Sequence, residues 1–205
     1  VSVAVFCIGI TGARVLNTDA IPVLRENLRA VLDEVKASLA APAQLRLLSP
    51  LAEGADRLAA QAGLALGYAL DVALPFACDE YEKDFPATID EFRALLSKAQ
   101  PPVVELSGAR GADEGRSYEA VGRMVVDQCD LLIAIWNGGC GNGRGGTAEI
   151  VEYAASRNRP IWWLRADGGG EPCWLAGTWD FEHLASCSGG LDAWARLRDF
   201  LGRMP

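Results

Sequence analysis

The chain has 205 residues, half of them hydrophobic, with a formal net charge of -8 and a sequence pI near 4.7. That length and apolar content suffice for one domain spanning 1–205 with a substantial core. The acidity speaks against a general nucleic-acid binder, whose affinity comes from clustered Lys and Arg on phosphates. No nucleic-acid partner is therefore expected, although a local cationic pocket for a small anion is compatible with an acidic whole.

VSVAVFCIGI opens the chain as an apolar, β-branched run of the kind buried on both faces of a sheet, and the turn GITGAR follows it. Asp19 can cap a helix running to about Leu39, with Leu24, Leu28, Val31, Leu32 and Val35 at helical spacing. LRLLS reads as a second strand, EGADRLAAQAGLALG as a helix closing at Gly67, and YALDVALPF as a third strand ending at Pro75. FPATIDEFRALLSKAQ is helical, PVVEL a short strand, SYEAVGRMVVDQC helical, DLLIAIW a strand, TAEIVEYAASRN a helix and PIWWLRA a strand. LDAWARLRDFLGRM closes the chain as an amphipathic helix. Residues 167–190, rich in glycine and tryptophan, break the rhythm and read as a long loop or small lid over one edge.

Strands alternating with helices imply parallel βαβ units with right-handed crossovers that cover both sheet faces. The expected class is α/β, a Rossmann-like three-layer α/β/α sandwich with a mostly parallel, doubly wound sheet.

Six cysteines, at 7, 78, 129, 140, 173 and 187, form no Cys-x-x-Cys pair, and His183 is the single histidine. Free thiols and a reducing, cytoplasmic setting are expected, with no metal site. No signal peptide or bilayer-spanning run is recognised, so no membrane partner is expected.

In an open parallel sheet the carboxyl ends of the strands share one edge, where ligands settle. Three unusual connections leave that edge. In GITGAR, Gly9 and Gly12 allow tight turns, Thr11 offers a hydroxyl and Arg14 a planar cation suited to phosphate. In SPLAEGADR, Ser49 ends a strand, and Gly54 and Asp56 lie at the start of a helix with Glu53 and Arg57 beside them. Ordinary turn chemistry would account for either loop alone.

The third connection is GCGNGRGGTAE, residues 139–149. Gly145 and Gly146 leave the backbone bare ahead of Thr147 and a helix N-terminus carrying roughly half a positive charge, which makes a place for a phosphate. Glu149 reads either as an acceptor for a ribose hydroxyl or an acid-base group, or as a solvated glutamate that suits the helix dipole. Gly141, Gly143 and Gly146 also fit G-x-G-x-x-G with Asp167 about one βαβ unit later, but Asn137 to Cys140 intervene before the first glycine. No Walker A or G-x-S-x-G sequence is present, and His183 has no evident nucleophile beside it. The tryptophans at 162, 163, 174, 179 and 194 read as core and edge packing, and DEYEKDF as a solvated helix start.

The order GITGAR, SPLAEGADRLAAQAGLALG, VALPF with DEYEKDF, and CDLLIAIWNG ending in GGTAEIVEYA resembles the superfamily known as SLOG. That superfamily groups the Rossmann domain of DNA-processing protein A with the Lonely-Guy-type phosphoribohydrolases once described as lysine decarboxylase-like. The resemblance covers roughly the first 165 residues. The second motif is similar to the former's serine-glycine-leucine-alanine-x-glycine-isoleucine-aspartate signature, with Pro50 and Ala55 as departures. The last is similar to the latter's phosphate loop, except that Glu149 follows Thr147 by two residues where the family has three, and Ile150 takes the family's glutamate position. The phosphoribohydrolases' arginine and lysine pair is represented at most by Arg123, and Ala13 stands where relatives carry histidine before the arginine.

The resemblance implies a Rossmann-like pocket for a nucleotide or nucleotide derivative, and self-association through helices beside it. Two functions follow. One is a binding or sensor module, with phosphate at Gly145 to Thr147, Arg14 nearby and ribose held by Glu149 or Asp56. The other is hydrolysis of the N-glycosidic bond of a nucleoside monophosphate, with Glu149 as the catalytic carboxylate and Glu53 or Asp56 as substitutes. An NAD-dependent oxidoreductase and a DNA-handling domain rank below these.

Overall fold

The computed structural model describes residues 4–39, 43–111, 113–139, 143–177 and 189–204. Its strands are β1 (Ala4–Gly12), β2 (Ala43–Ser49), β3 (Ala69–Leu74), β4 (Val104–Glu105), β5 (Leu131–Ile135), β6 (Ile161–Leu164) and β7 (Cys173–Leu175). The helices are α1 (Ile21–Ser38), α2 (Ala55–Ala65), α3 (Cys78–Tyr81), α4 (Ile89–Leu96), α5 (Glu114–Gln128), α6 (Thr147–Ser156) and α7 (Leu191–Leu201), with a 3-10 turn at Glu82–Asp84.

The strands form one sheet in the order β4-β3-β2-β1-β5-β6-β7. All neighbours pair parallel except β6 and β7. From β1 the chain steps outward through β2, β3 and β4, then returns to the other side of β1 as β5. That reversal opens a crevice beyond the carboxyl ends of β1 and β5, whose last paired residues are Gly12 and Ile135.

Helices cover both faces. Phe6, Ile8 and Ile10 of β1 bury against Leu24, Leu28 and Val31 of α1 in one cluster, whereas Leu132 and Ala134 of β5 join Val125 of α5 and Val151 of α6 in the other. Every residue of β5 is buried, as its unbroken apolar run requires of a central parallel strand. The expected α/β/α architecture is therefore the one observed.

Some boundaries differ from the sequence expectation. Strand β1 continues through Gly12 because Thr11 and Gly12 pair with Ala134 and Ile135, so Gly9 is a strand residue and not part of a turn. A Cβ at Gly9 would lie 2.8 Å from Val125 Cγ1 and 2.9 Å from Cys129 Sγ, so its small size serves the close approach of α5. Asp19 does not cap α1, which begins after Ala20 with a proline in its first turn; Asn17 Oδ1 instead accepts the Asp19 N–H at 3.0 Å. Within the segment expected to be a loop, Cys173–Leu175 form the antiparallel edge strand β7.

The tryptophans at this end pack. Trp162 is fully buried with its ring 4.6 Å from that of Trp194, and Trp174 lies 5.4 Å from Phe200. Cys7, Cys78 and Cys129 are free thiols, and burial pushes Cys7 and Cys129 each up to about 12. Cys140, Gly141, Trp179, His183 and Cys187 lie outside the described residues. Among the described residues no helix is long and apolar enough to cross a membrane.

Candidate functional site

A cavity of about 340 Å³ lies at the crevice and draws its walls from all three unusual loops. Thr11, Gly12 and Arg14 come from the end of β1, Asp56 from the first turn of α2, and Gly145, Gly146 and Thr147 from the start of α6. Tyr118 and Gly122 of α5 close the side between them.

Two of these positions have no room for a side chain. A Cβ at Gly12 would sit 2.4 Å from Ala55 Cβ and 2.7 Å from the Ile135 carbonyl oxygen, so the wall there must be bare backbone. Gly145 has φ of 76°, and a Cβ on it would approach Tyr118 Cβ to 2.7 Å, because the loop is laid directly against α5. Gly146, the residue ahead of α6, has φ of -77°, open to any residue, and its nearest obstacle is Gly143 O at 3.1 Å. The N–H groups of Thr147, Ala148 and Glu149 follow, and the first turn of a helix has no acceptor of its own for them.

Glu149, open from the sequence to readings as ribose acceptor, acid-base group or dipole-friendly glutamate, is engaged with its own loop. It does not line the cavity. Its Oε2 accepts the Gly145 N–H at 2.6 Å, closing the glycine turn from within the first turn of α6. On the neighbouring helix α5, Glu119 is buried and salt-bridged to Arg123 at 2.5 Å and to Arg144. The Arg144 guanidinium holds the Glu119 carboxyl below its ordinary value. Arg123 stacks over the Tyr153 ring at 4.7 Å and is not a cavity residue. Asp167 likewise stays away, accepting the Gly169 N–H at 2.9 Å and pairing with Arg165 at 2.6 Å.

In the second loop the expected residues divide into builders and liners. Ser49 is fully buried and its Oγ accepts the Leu51 N–H at 3.0 Å, bracing a residue whose φ is 57°. Gly54 lies under the first loop, where a Cβ would meet the Ala13 carbonyl oxygen at 2.4 Å; that oxygen accepts the Ala55 N–H at 3.0 Å. Neither Ser49 nor Gly54 lines the cavity. Asp56 does. It is 4% exposed, and its Oδ2 accepts the Ala52 N–H at 3.2 Å. Burial pushes its carboxyl up to about 7, against the opposing pull of the Ala52 N–H, Arg14, Ser49 and Arg57.

Arg14 reaches the cavity rim, where its Nη2 donates to Asp84 Oδ2 at 3.3 Å and its guanidinium lies 5.1 Å from the Tyr118 ring centre. Asp84 also accepts from Arg110 Nη1 at 2.6 Å and from the Tyr118 hydroxyl at 2.6 Å. The run DEYEKDF is thus more than a solvated helix start, since it supplies Asp84 to this network and the buried Tyr81 to the cavity wall. Sequence reasoning missed both, and Tyr118. The signal for Tyr118 was present: residues 118, 121 and 122 fall on one helical face, and all three line the cavity. Among the described residues no group of three or more His, Cys, Asp or Glu could hold a metal ion.

This architecture is found in solved structures of DNA processing protein A. The Helicobacter pylori protein, described by its single-stranded DNA binding mode, aligns with a TM-score of 0.59 at 16% identity over 97% of this chain and 81% of that one. The Streptococcus pneumoniae protein aligns with a TM-score of 0.56 at 14% identity over 89% of this chain and 56% of that one. The chain has the Rossmann-like fold of these proteins. It spans little more than half the length of the S. pneumoniae protein. A molybdenum cofactor binding protein from Rippkaea orientalis aligns with a TM-score of 0.46 at 16% identity over 80% of this chain and 78% of that one. No protein-family model and no curated protein matches the sequence. DNA-processing protein A is one of the two groups in the superfamily that the motifs resemble, so the motif order and the fold agree.

One expectation is overturned here. The absence of a nucleic-acid partner was inferred from net charge, yet a protein of the same fold is described by its binding of single-stranded DNA. Net charge averages over the whole surface, whereas two arginines, Arg14 and Arg144, line this single cavity in a chain whose total is -8.

Proposed function

We propose that the chain binds a nucleotide through its phosphate, at the amides between Gly146 and Ala148, with Arg14 as the cationic side chain. The observation that carries this reading is convergence: two bare glycine walls, a helix N-terminus and an arginine meet in one cavity at the switch point of the sheet. Asp56, on the opposite wall, is the carboxyl available to a ribose hydroxyl. The reading holds for a free nucleotide and equally for one nucleotide unit of a single strand, the ligand described for the H. pylori protein.

Binding is favoured over cleavage of an N-glycosidic bond because Glu149 is engaged with Gly145. A thermal-shift panel of nucleoside monophosphates and short oligonucleotides tests the proposal. A ligand at about a hundredfold its Kd adds about 2.7 kcal/mol of stability. Stabilisation that disappears in Gly146→Val supports the phosphate site; a variant that responds as the parent does would place the ligand elsewhere.

A further inference from the structure

A second cavity, also of about 340 Å³, adjoins the first at Arg14, which lines both. Its other walls include Val15, Leu16, Ile21 and Leu58, with Arg25 and Gln61 beside them. Small-molecule sites range over roughly 300–1,000 Å³, so either cavity alone lies at the low end and suits about one nucleotide, whereas the pair suits two. The second is also chemically unlike the first. Its aliphatic walls offer a surface for a base in place of phosphate-binding amides, and Val15 is left 87% exposed there.

Two acids face this cleft, but both are held by the protein. Glu53 accepts the Thr88 hydroxyl, and Glu91 accepts Arg57 Nη1 at 3.0 Å and Gln61 Nε2 at 2.9 Å. Arg25 therefore faces acids already engaged with donors of the chain. At the junction stands Arg14, a guanidinium of the kind that pairs with phosphate oxygens.

We infer that the second cavity is a subsite for a second nucleotide unit, so that the ligand is a phosphate-bridged dinucleotide with its bridging phosphate at Arg14. This rests on the proposed phosphate site in the first cavity. The shared chemistry is that of a free dinucleotide or of two successive units of a strand.

Calorimetric titration with AMP, with the 5′-phosphorylated adenosine dinucleotide, and with a longer adenosine oligonucleotide, each in ribo and deoxy form, tests the inference. The dinucleotide is expected to bind about tenfold or more tighter than AMP, since the second contact becomes intramolecular. Val15→Asp, at an exposed position, should remove that gain and leave AMP binding as it was. Arg25→Glu should act in the same direction. An oligonucleotide that matches the dinucleotide points to a strand as the source, and one that is excluded points to the free dinucleotide; either outcome supports the subsite. Equal affinities for AMP and dinucleotide, or a gain that survives both substitutions, would overturn the subsite alone. Failure of every probe to bind would remove the phosphate site and the subsite together.

Discussion

The carboxylate of Glu149 and the amide of Gly145 are joined at 2.6 Å, so the acid that follows the glycine loop ties that loop to its own helix. Glu149→Ala is expected to lower stability by about 0.5–2 kcal/mol, as loss of a helix cap does, with Glu149→Gln losing less. Denaturant unfolding measures both. Incubation with nucleoside monophosphates should release no free base; release that vanishes in Glu149→Ala would restore the catalytic role.

Neighbouring glycines should respond in opposite ways. Gly145→Ala combines a φ of 76° with a Cβ 2.7 Å from Tyr118 and should destabilise the fold by about 1–3 kcal/mol. Gly146→Val has an ordinary φ and meets only the Gly143 oxygen, at 3.1 Å, so it should cost less stability than Gly145→Ala while losing ligand-induced stabilisation. A Gly145→Ala protein as stable as the parent would contradict the packing of this loop on α5.

Asp56 gives stability a pH dependence with a definite sign. Its folded-state value is about 7 against an ordinary value of 3.8, so the native state holds the proton more tightly than the unfolded chain. The contribution is complete below about pH 4, is lost as pH rises through about 7, and changes by about 1.4 kcal/mol per unit between them. Asp56→Asn cannot ionise, so its stability relative to the parent should rise between pH 5 and pH 8 by an amount on the order of 2–4 kcal/mol. Unfolding curves at those two pH values decide it, and a difference independent of pH would refute the burial of this carboxyl as an acid.

Two arginines separate binding from folding. Arg14 is 46% exposed in its side chain and ion-paired with Asp84, so Arg14→Ala should change stability by less than about 1 kcal/mol while weakening nucleotide binding about tenfold. Arg57 is 2% exposed and donates to the Leu51 and Thr88 carbonyls and to Glu91. Removing it leaves the buried Leu51 carbonyl without its donor, and Arg57→Ala should cost about 1–3 kcal/mol. Parallel melting and binding curves for the two variants would show the contrast.

The alternation of β-branched runs with amphipathic segments made the layer architecture legible, because period and run length report local burial directly. The meeting of Gly12, Asp56 and Gly145 to Thr147 followed from the rule that parallel strands end at a common rim. Gly9 was misread because a glycine inside a strand and one in a turn look alike until the strand's partners are known, and here these are Leu48 of β2 and Leu132 of β5, both remote in sequence. The role of Glu149 was ambiguous because sequence fixes its distance from Thr147 but not whether its carboxylate turns outward or back to Gly145. The Asp84, Arg110 and Tyr118 cluster was invisible, since a 3-10 turn, the connection after β4 and helix α5 bring those side chains together and none carries a local pattern that announces it.

Strand β7 runs against its neighbour at the margin of the sheet, several strands away from the outer edge formed by β4. It replaces β6 as the edge, and at three residues it offers another molecule only a short run of backbone donors and acceptors, a defence against edge-to-edge aggregation. That protective duty depends on main-chain pairing more than on side-chain identity.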